Sequence, residues 1–364
     1  MGRLREIADS FAPERLTQAR ELNGLLKKEL AELISVTPAA VSSWERGSKT
    51  PTEDSIFRLA NKLEVEPEFF RKTISPLLAS STPPHFRSLK TTPQKIRRQA
   101  HQFGVLAATV TSGLEQHLIL PEPGLPSVDF PEEDDEVEAA ALLLRKTWDL
   151  GILPIKDLLL TIERKGVIVT LNEEATANVD AYSMWVSMRP YIILNPQKND
   201  FYRQRFDLAH ELGHLVMHEG AEPGETAAES QAHLFASEFL APTQSLLPEL
   251  PRSINQQSWQ KLFELKEKWG MSVQALLFRM RRLGTISENS YRGAMTTLSR
   301  KKWRRAEPGL ITKCDRPALL EKSIQLLDEN GIHREMIARE LNLRLPQLEK
   351  IVGAPPSPRL QVVL

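Results

Sequence analysis

The sequence predicts an α+β protein that is mostly helical. An all-α helix-turn-helix unit comes first, then an α+β unit with a small sheet, then a helical C-terminal region. Three observations carry this. Residues 1–72 read as short helices separated by turn residues. Three runs rich in β-branched and aromatic residues, "VIVTL" (167–171), "AYSMWVS" (181–187) and "YIILN" (191–195), are bounded by Gly, Asn and Pro and read as strands. Helical segments fit at 132–148, 155–165, 200–218, 226–240, 256–269, 272–283 and several places after 316. These patterns suggest boundaries at 1–72, 73–131, 132–250 and 251–364.

The 364 residues allow one to three domains. Lys+Arg and Asp+Glu are equal at 47 each, so net charge implies no dominant affinity for nucleic acid or acidic membranes. The single cysteine, Cys314, rules out an internal disulfide and fits a reducing cytoplasm. The charged opening "MGRLREIADSFAPERL" predicts no secretory leader. Glu6 stands where myristoylation would want Ser or Thr. No apolar run approaches the roughly 20 residues of a membrane span.

Within the first unit, "KKELAELI" is a short amphipathic helix and Ser35-Val36-Thr37 a turn. Thr37 caps a second helix that has Pro38 at its first position, and Gly47 ends it. Leu30, Ala31, Ile34, Val41 and Trp44 form the expected shared core. "ELAELISVTPAAVSSWERG" resembles the XRE (Cro/lambda-repressor-like) family. That resemblance implies DNA binding, with the second helix in the major groove. Pro38, Ala39, Ser42 and Ser43 would then face bases, a thin set for hydrogen-bond readout. Lys27, Lys28, Arg46 and Lys49 would contact phosphates. Residues 1–72 hold 12 basic and 12 acidic side chains, so binding would rest on local clustering. The bland alternative is a docking or dimerisation module.

Residues 73–131 are rich in Pro, Ser and Thr and read as a linker, with one helical stretch near 93–117. Charge is segregated around it. "RSLKTTPQKIRR" (87–98) holds five basic residues and no acid, while "DFPEEDDEVE" (129–138) holds seven acids and no base. The basic run reads as a solvated helix face in preference to a DNA contact. The acidic run can pair with it or cap the following helix.

The chemistry concentrates in "RFDLAHELGHLVMH" (205–218), an H-E-x-x-H sequence. Helical residues four apart lie about 40° apart around the axis and one turn along it. His210 and His214 can therefore hold one ion. Glu211 is too displaced to join them as a ligand but can reach a water beside it, acting as general base. The null interpretation, surface histidines and a solvated glutamate, suits a polar helix. This one carries Phe206, Ala209, Leu212, Val216 and Met217, and imidazoles among such residues need partners.

A catalytic zinc site needs a third protein ligand. His218 lies about 12 Å along the helix from His210, so one ion cannot touch both. Met217 occupies the position where a metzincin has Gly. In "ETAAESQAHLFASEFLAP" (225–242), spacing ranks Glu229 and Glu225 nearly level, with Glu238 also present.

Residues 138–242 resemble the catalytic domain of the ImmA/IrrE family of zinc metallopeptidases, a zincin-like α+β fold. The resemblance rests on "VDAYSMWV"/"PYIILN", "RFDLAHELGHLVMH" and "ESQAHLFASEFLAP". It implies Zn²⁺ on His210, His214 and Glu229, with Phe235, Ala236 and Pro242 matching the rest of the second helix. His233 stands where the family usually has Asn or Asp, and would hold a ligand carboxylate from outside the metal shell. The resemblance also implies extended peptide bound along an edge strand, "YIILN" or "AYSMWVS". Tyr182, Tyr191 and His218 are candidate oxyanion helpers, each with a structural role as the default.

The expected function is a cytoplasmic zinc endopeptidase fused to a DNA-binding domain, with a repressor or antitoxin as substrate. Stress, phage, toxin–antitoxin or mobile-element circuits are the settings the family implies. Helix-turn-helix modules commonly dimerise on paired DNA half-sites, and the sequence does not settle the oligomeric state. The rivals are a DNA-binding regulator whose zinc domain senses a signal without cutting, and an antitoxin-like interaction protein with a vestigial site.

Overall fold

The computed structural model describes residues 2–71, 81–86, 93–175, 181–197, 199–219, 226–304, 307–309 and 313–353. A four-stranded sheet divides it into two hydrophobic cores. The strands are β1 (His85–Phe86), β2 (Ile168–Leu171), β3 (Ala181–Val186) and β4 (Arg189–Leu194), in the order β1-β3-β4-β2. β3 runs antiparallel to both β1 and β4, whereas β2 is parallel to β4.

Strand alternation sorts side chains between the cores. Tyr182, Met184 and Val186 of β3, with Tyr191 and Ile193 of β4, enter the first core. Ala181, Ile192 and Leu194 enter the second. The near-continuous apolar runs seen in the sequence follow from this, because both faces are covered.

The first core joins three parts of the chain. The N-terminal helices α1 (Gly2–Asp9), α2 (Pro13–Leu22), α3 (Lys27–Leu33), α4 (Pro38–Glu45) and α5 (Glu53–Lys62) form the helix-turn-helix unit. Thr37 caps α4, its hydroxyl accepting from the Ala40 amide at 3.2 Å. Gly47 follows with φ +68°, and Leu30, Ala31, Ile34, Val41 and Trp44 are buried as the pattern predicts. A buried Arg20–Glu45 ion pair ties α2 to α4. The stretch read as a linker contains α6 (Gln94–Leu114), which is largely buried. It packs against α2 and the sheet, so it joins domains through a core and not as a tether. Helices α15 (Leu319–Glu329), α16 (Arg334–Glu340) and α17 (Leu345–Val352) complete this core. The Thr170 hydroxyl of β2 donates to the Ile351 carbonyl of α17.

Two described residues of the basic run pair with acids other than those of the 129–138 run. Lys95 pairs with Glu29 and Arg98 with Glu21, both in the helix-turn-helix unit. The acidic run caps α7 (Asp134–Thr147), where the Glu136 carboxylate accepts from the Glu132 and Glu133 amides.

The second core holds α7, α8 (Leu158–Arg164), α9 (Phe201–Met217), α10 (Thr226–Leu240), the short α11 (Thr243–Leu246), α12 (Gln256–Trp269), α13 (Val273–Arg282) and α14 (Glu288–Arg300). Its packing runs on to Leu298, past the boundary at 250 that composition suggested. No described helix is long and apolar enough to cross a membrane.

Gly166 joins α8 to β2 at φ +77°, and a Cβ there would lie 2.2 Å from the Glu122 carbonyl oxygen. Left-handed backbone alone costs a non-glycine residue about 1–2 kcal/mol. Gly166→Ala is therefore expected to lower stability by more than about 2 kcal/mol, measured by urea unfolding.

Candidate metal centre

The centre is built from two packed helices. α9 is amphipathic in sequence but buried along its last turns, from Leu208 through Met217. α10 lies against it, and Gly213 permits the approach, with a Cβ there only 3.1 Å from the Phe235 ring. His210 and His214, one turn apart, present Nε2 atoms 3.2 Å from each other. Glu229, in the first turn of α10, brings Oε2 to 3.3 Å from His210 Nε2 and Oε1 to 3.5 Å from His214 Nε2. One ligand atom from each residue lies within 4.8 Å of the others, a grouping that can hold a metal ion.

The donor set fits a divalent cation. Both Glu229 oxygens are buried and accept no hydrogen bond of standard geometry. Burial pushes the Glu229 carboxyl upward, but the two imidazoles more than offset this and hold it well below the usual carboxylate range. Burial pushes His214 down to about 4. A metal requires its ligands as neutral imidazole and ionised carboxylate, and two imidazoles with one carboxylate suit zinc.

Glu211 lies outside the cluster, on the sheet side of α9. Its Oε2 accepts from the Ser183 hydroxyl of β3 at 2.6 Å, with both residues buried. Ser183 was not singled out by sequence. It sits at an inward position of β3, and only the pairing of sheet and helix reveals its partner.

Other expectations resolve by position. Glu238 is engaged elsewhere: its carboxylate accepts from the Thr243 amide and hydroxyl and from buried Arg279. Glu225 lies outside the described residues. His233 packs between Phe206 and His210, its ring centroid 4.7 Å from that of His210. Tyr182 is buried and donates to the Ala100 carbonyl in α6. Tyr191 is buried in the same core. Both phenols lie in the first core, across the sheet from the helices that carry the cluster, so they serve packing and not an oxyanion.

His218 is fully buried one turn beyond His214, with Nδ1 atoms 2.9 Å apart. The expected open strand edge is not available. β4 is interior, and β3 carries β1 on its outer side, continued by a Ser81–Val186 bridge and a Thr82 amide bond to the Trp185 carbonyl.

Residues 162–281 match the peptidase family model described as IrrE N-terminal-like domain, and residues 16–70 match a helix-turn-helix model. The chain thus carries one region similar to the IrrE N-terminal-like domain and, ahead of it, one similar to a helix-turn-helix domain. No curated protein and no solved structure matches it. The IrrE N-terminal-like domain contains the sheet strands β2 to β4 and the His210, His214 and Glu229 cluster, and it extends through α12 into α13.

On the helix-turn-helix domain, Pro38, Ala39, Arg46 and Lys49 are exposed, and Ser42 and Ser43 half-buried. Lys28 is 78% exposed beside Glu32. Lys27 is held by Glu45 at 3.0 Å, so a phosphate would have to compete with that carboxylate.

Proposed function

We propose that this chain is a zinc-dependent, site-specific endopeptidase joined to a DNA-binding domain, which cuts a regulatory protein such as a repressor or antitoxin to control transcription. The convergence of His210, His214 and Glu229 beside a buried glutamate outside the cluster supports this most directly. Zinc held by those three residues would supply Lewis acidity toward a substrate carbonyl and an attacking water. Glu211 accepts the water's proton and returns it to the leaving amine. Ser183 donates to Glu211 and orients the carboxylate for that transfer. A single cysteine fits a cytoplasmic setting, and a homodimer fits paired DNA half-sites.

The test is co-expression with the product of the neighbouring gene. A new fragment is expected with the wild-type chain and not with Glu211→Gln. No fragment with either would leave the peptidase reading without support.

A second reading, a regulator that senses without cutting, has one observation behind it. The helix-turn-helix domain and the sheet share a core through α6, so a change at the sheet has a packed route to the DNA-binding helices. Regulation in cells that persists in Glu211→Gln would favour it.

For the DNA-binding role, affinity for the protein's own promoter is expected to fall with salt at roughly 0.9 logarithmic units per phosphate contact. Arg46→Ala is expected to reduce the slope by about 1. A slope unchanged across Lys28, Arg46 and Lys49 variants would remove these residues from the contact set.

A further inference from the structure

A line of polar contacts leaves the cluster through His214, and its direction can be derived from one fixed end. The Pro131 carbonyl can only accept. Gln231 Nε2 lies 2.6 Å from it and donates. With the amide turned the other way, two oxygens would face each other at that distance. Gln231 Oε1 therefore faces His218 Nε2 at 3.0 Å. An amide oxygen only accepts, so His218 carries its proton on Nε2. Its Nδ1 is then a lone pair, 2.9 Å from His214 Nδ1. His214 must donate from Nδ1, which leaves its Nε2 unprotonated and directed toward His210 and Glu229.

We propose that His218 and Gln231 are positioning residues that lock His214 in the tautomer able to bind metal, relaying the choice from the Pro131 carbonyl. This rests on the metal-site reading above. The alternative tautomer of His214 places a proton on Nε2, where a ligand needs its lone pair. His218 is 0% exposed, so no bulk water stands in for its acceptor. Pro131 lies just before the cap of α7, so the relay also ties that helix's entry to the cluster. Sequence spacing excludes His218 as a ligand. Its value lies in being one turn beyond a ligand, on the same face.

The experiment uses the full chain with ¹⁵N-labelled histidine, zinc, and a competing chromophoric chelator. In metal-free wild-type protein, the imidazole spectrum should show His214 protonated on Nδ1. His218→Phe keeps a ring against Phe130, whose centroid lies 5.1 Å away. It is expected to weaken zinc binding about 10- to 100-fold, the usual effect of losing such an outer partner, with the Nδ1 proton signal of His214 redistributed to Nε2. His218→Gln offers an amide oxygen in place of the lone pair and should recover most of the affinity. Gln231→Leu, at a half-buried position, should shift both readouts the same way and serves if His218→Phe does not fold.

Zinc affinity within twofold of wild type in His218→Phe or Gln231→Leu overturns the relay while leaving the metal site standing. A loss that His218→Gln fails to recover assigns the effect to packing and also overturns it. Wild-type protein that takes up no zinc overturns the site reading and the relay together.

Discussion

Glu211→Gln is expected to abolish cleavage while leaving zinc content at the wild-type level. The amide has nearly the same shape as the carboxylate, and its oxygen can still accept from the Ser183 hydroxyl that now bonds Oε2. It cannot take a proton from water. Loss of a positioned general base costs typically about 10²–10⁴ in rate, and nothing among the described residues near the cluster is placed to substitute. His233 packs on the His210 ring, His218 is committed to His214 and Gln231, and both tyrosines lie in the opposite core. Fragment yield, zinc per chain and far-UV circular dichroism of one preparation check the claim. A variant that still cuts at more than about a tenth of the wild-type rate would move the base elsewhere.

Much of this arrangement is legible in the sequence. The i, i+4 spacing put two imidazoles on one face of a helix, and a helix in either setting would do so. Thr37, Pro38 and Gly47 bounded the recognition helix through local backbone chemistry, which sequence carries directly. What escaped depends on pairing between distant segments. Ser183 and Glu211 are 28 positions apart and meet only because β3 crosses α9. Gln231 gains its meaning from a carbonyl 100 positions away. The segment 94–114 read as part of a linker because prolines and like charges flank it. Its central "FGVLAATV" is what buries it, and its basic end is satisfied by Glu21 and Glu29. β1 has only two residues, too short for a period-2 pattern, and owes its existence to the β3 edge.

Spacing ranks Glu229 and Glu225 nearly level as third ligand and offers Glu238 as well, and Glu229 and Glu238, two glutamates of one helix, separate in opposite ways. Glu238→Ala is expected to damage the fold and spare the metal. Its carboxylate is the buried partner of Arg279, which is itself 0% exposed, and it also accepts from the Thr243 amide and hydroxyl. Removing one member of a buried pair costs about 3–5 kcal/mol, and Arg279 would keep Glu138 at 4.0 Å and the Thr243 hydroxyl at 2.6 Å in place of a close carboxylate. In a unit of this size that cost lowers Tm by roughly 6–20 °C. Glu229→Ala should do the reverse. Its two oxygens make no hydrogen bond of standard geometry and face the His210 and His214 imidazoles at 3.3 and 3.5 Å, so the metal-free fold loses less than it does in Glu238→Ala. Zinc affinity, however, should fall by more than the roughly 10- to 100-fold typical of an outer partner. The separation appears in one calorimetric comparison. At a zinc concentration about 1,000 times the wild-type Kd, wild-type protein gains about 4 kcal/mol from binding. Glu238→Ala should start lower and gain as much, whereas Glu229→Ala should start above Glu238→Ala and gain almost nothing. Equal zinc-dependent gains in wild type and Glu229→Ala would transfer the third-ligand role to another acid, because a carboxylate that contributes nothing to metal affinity is not a ligand.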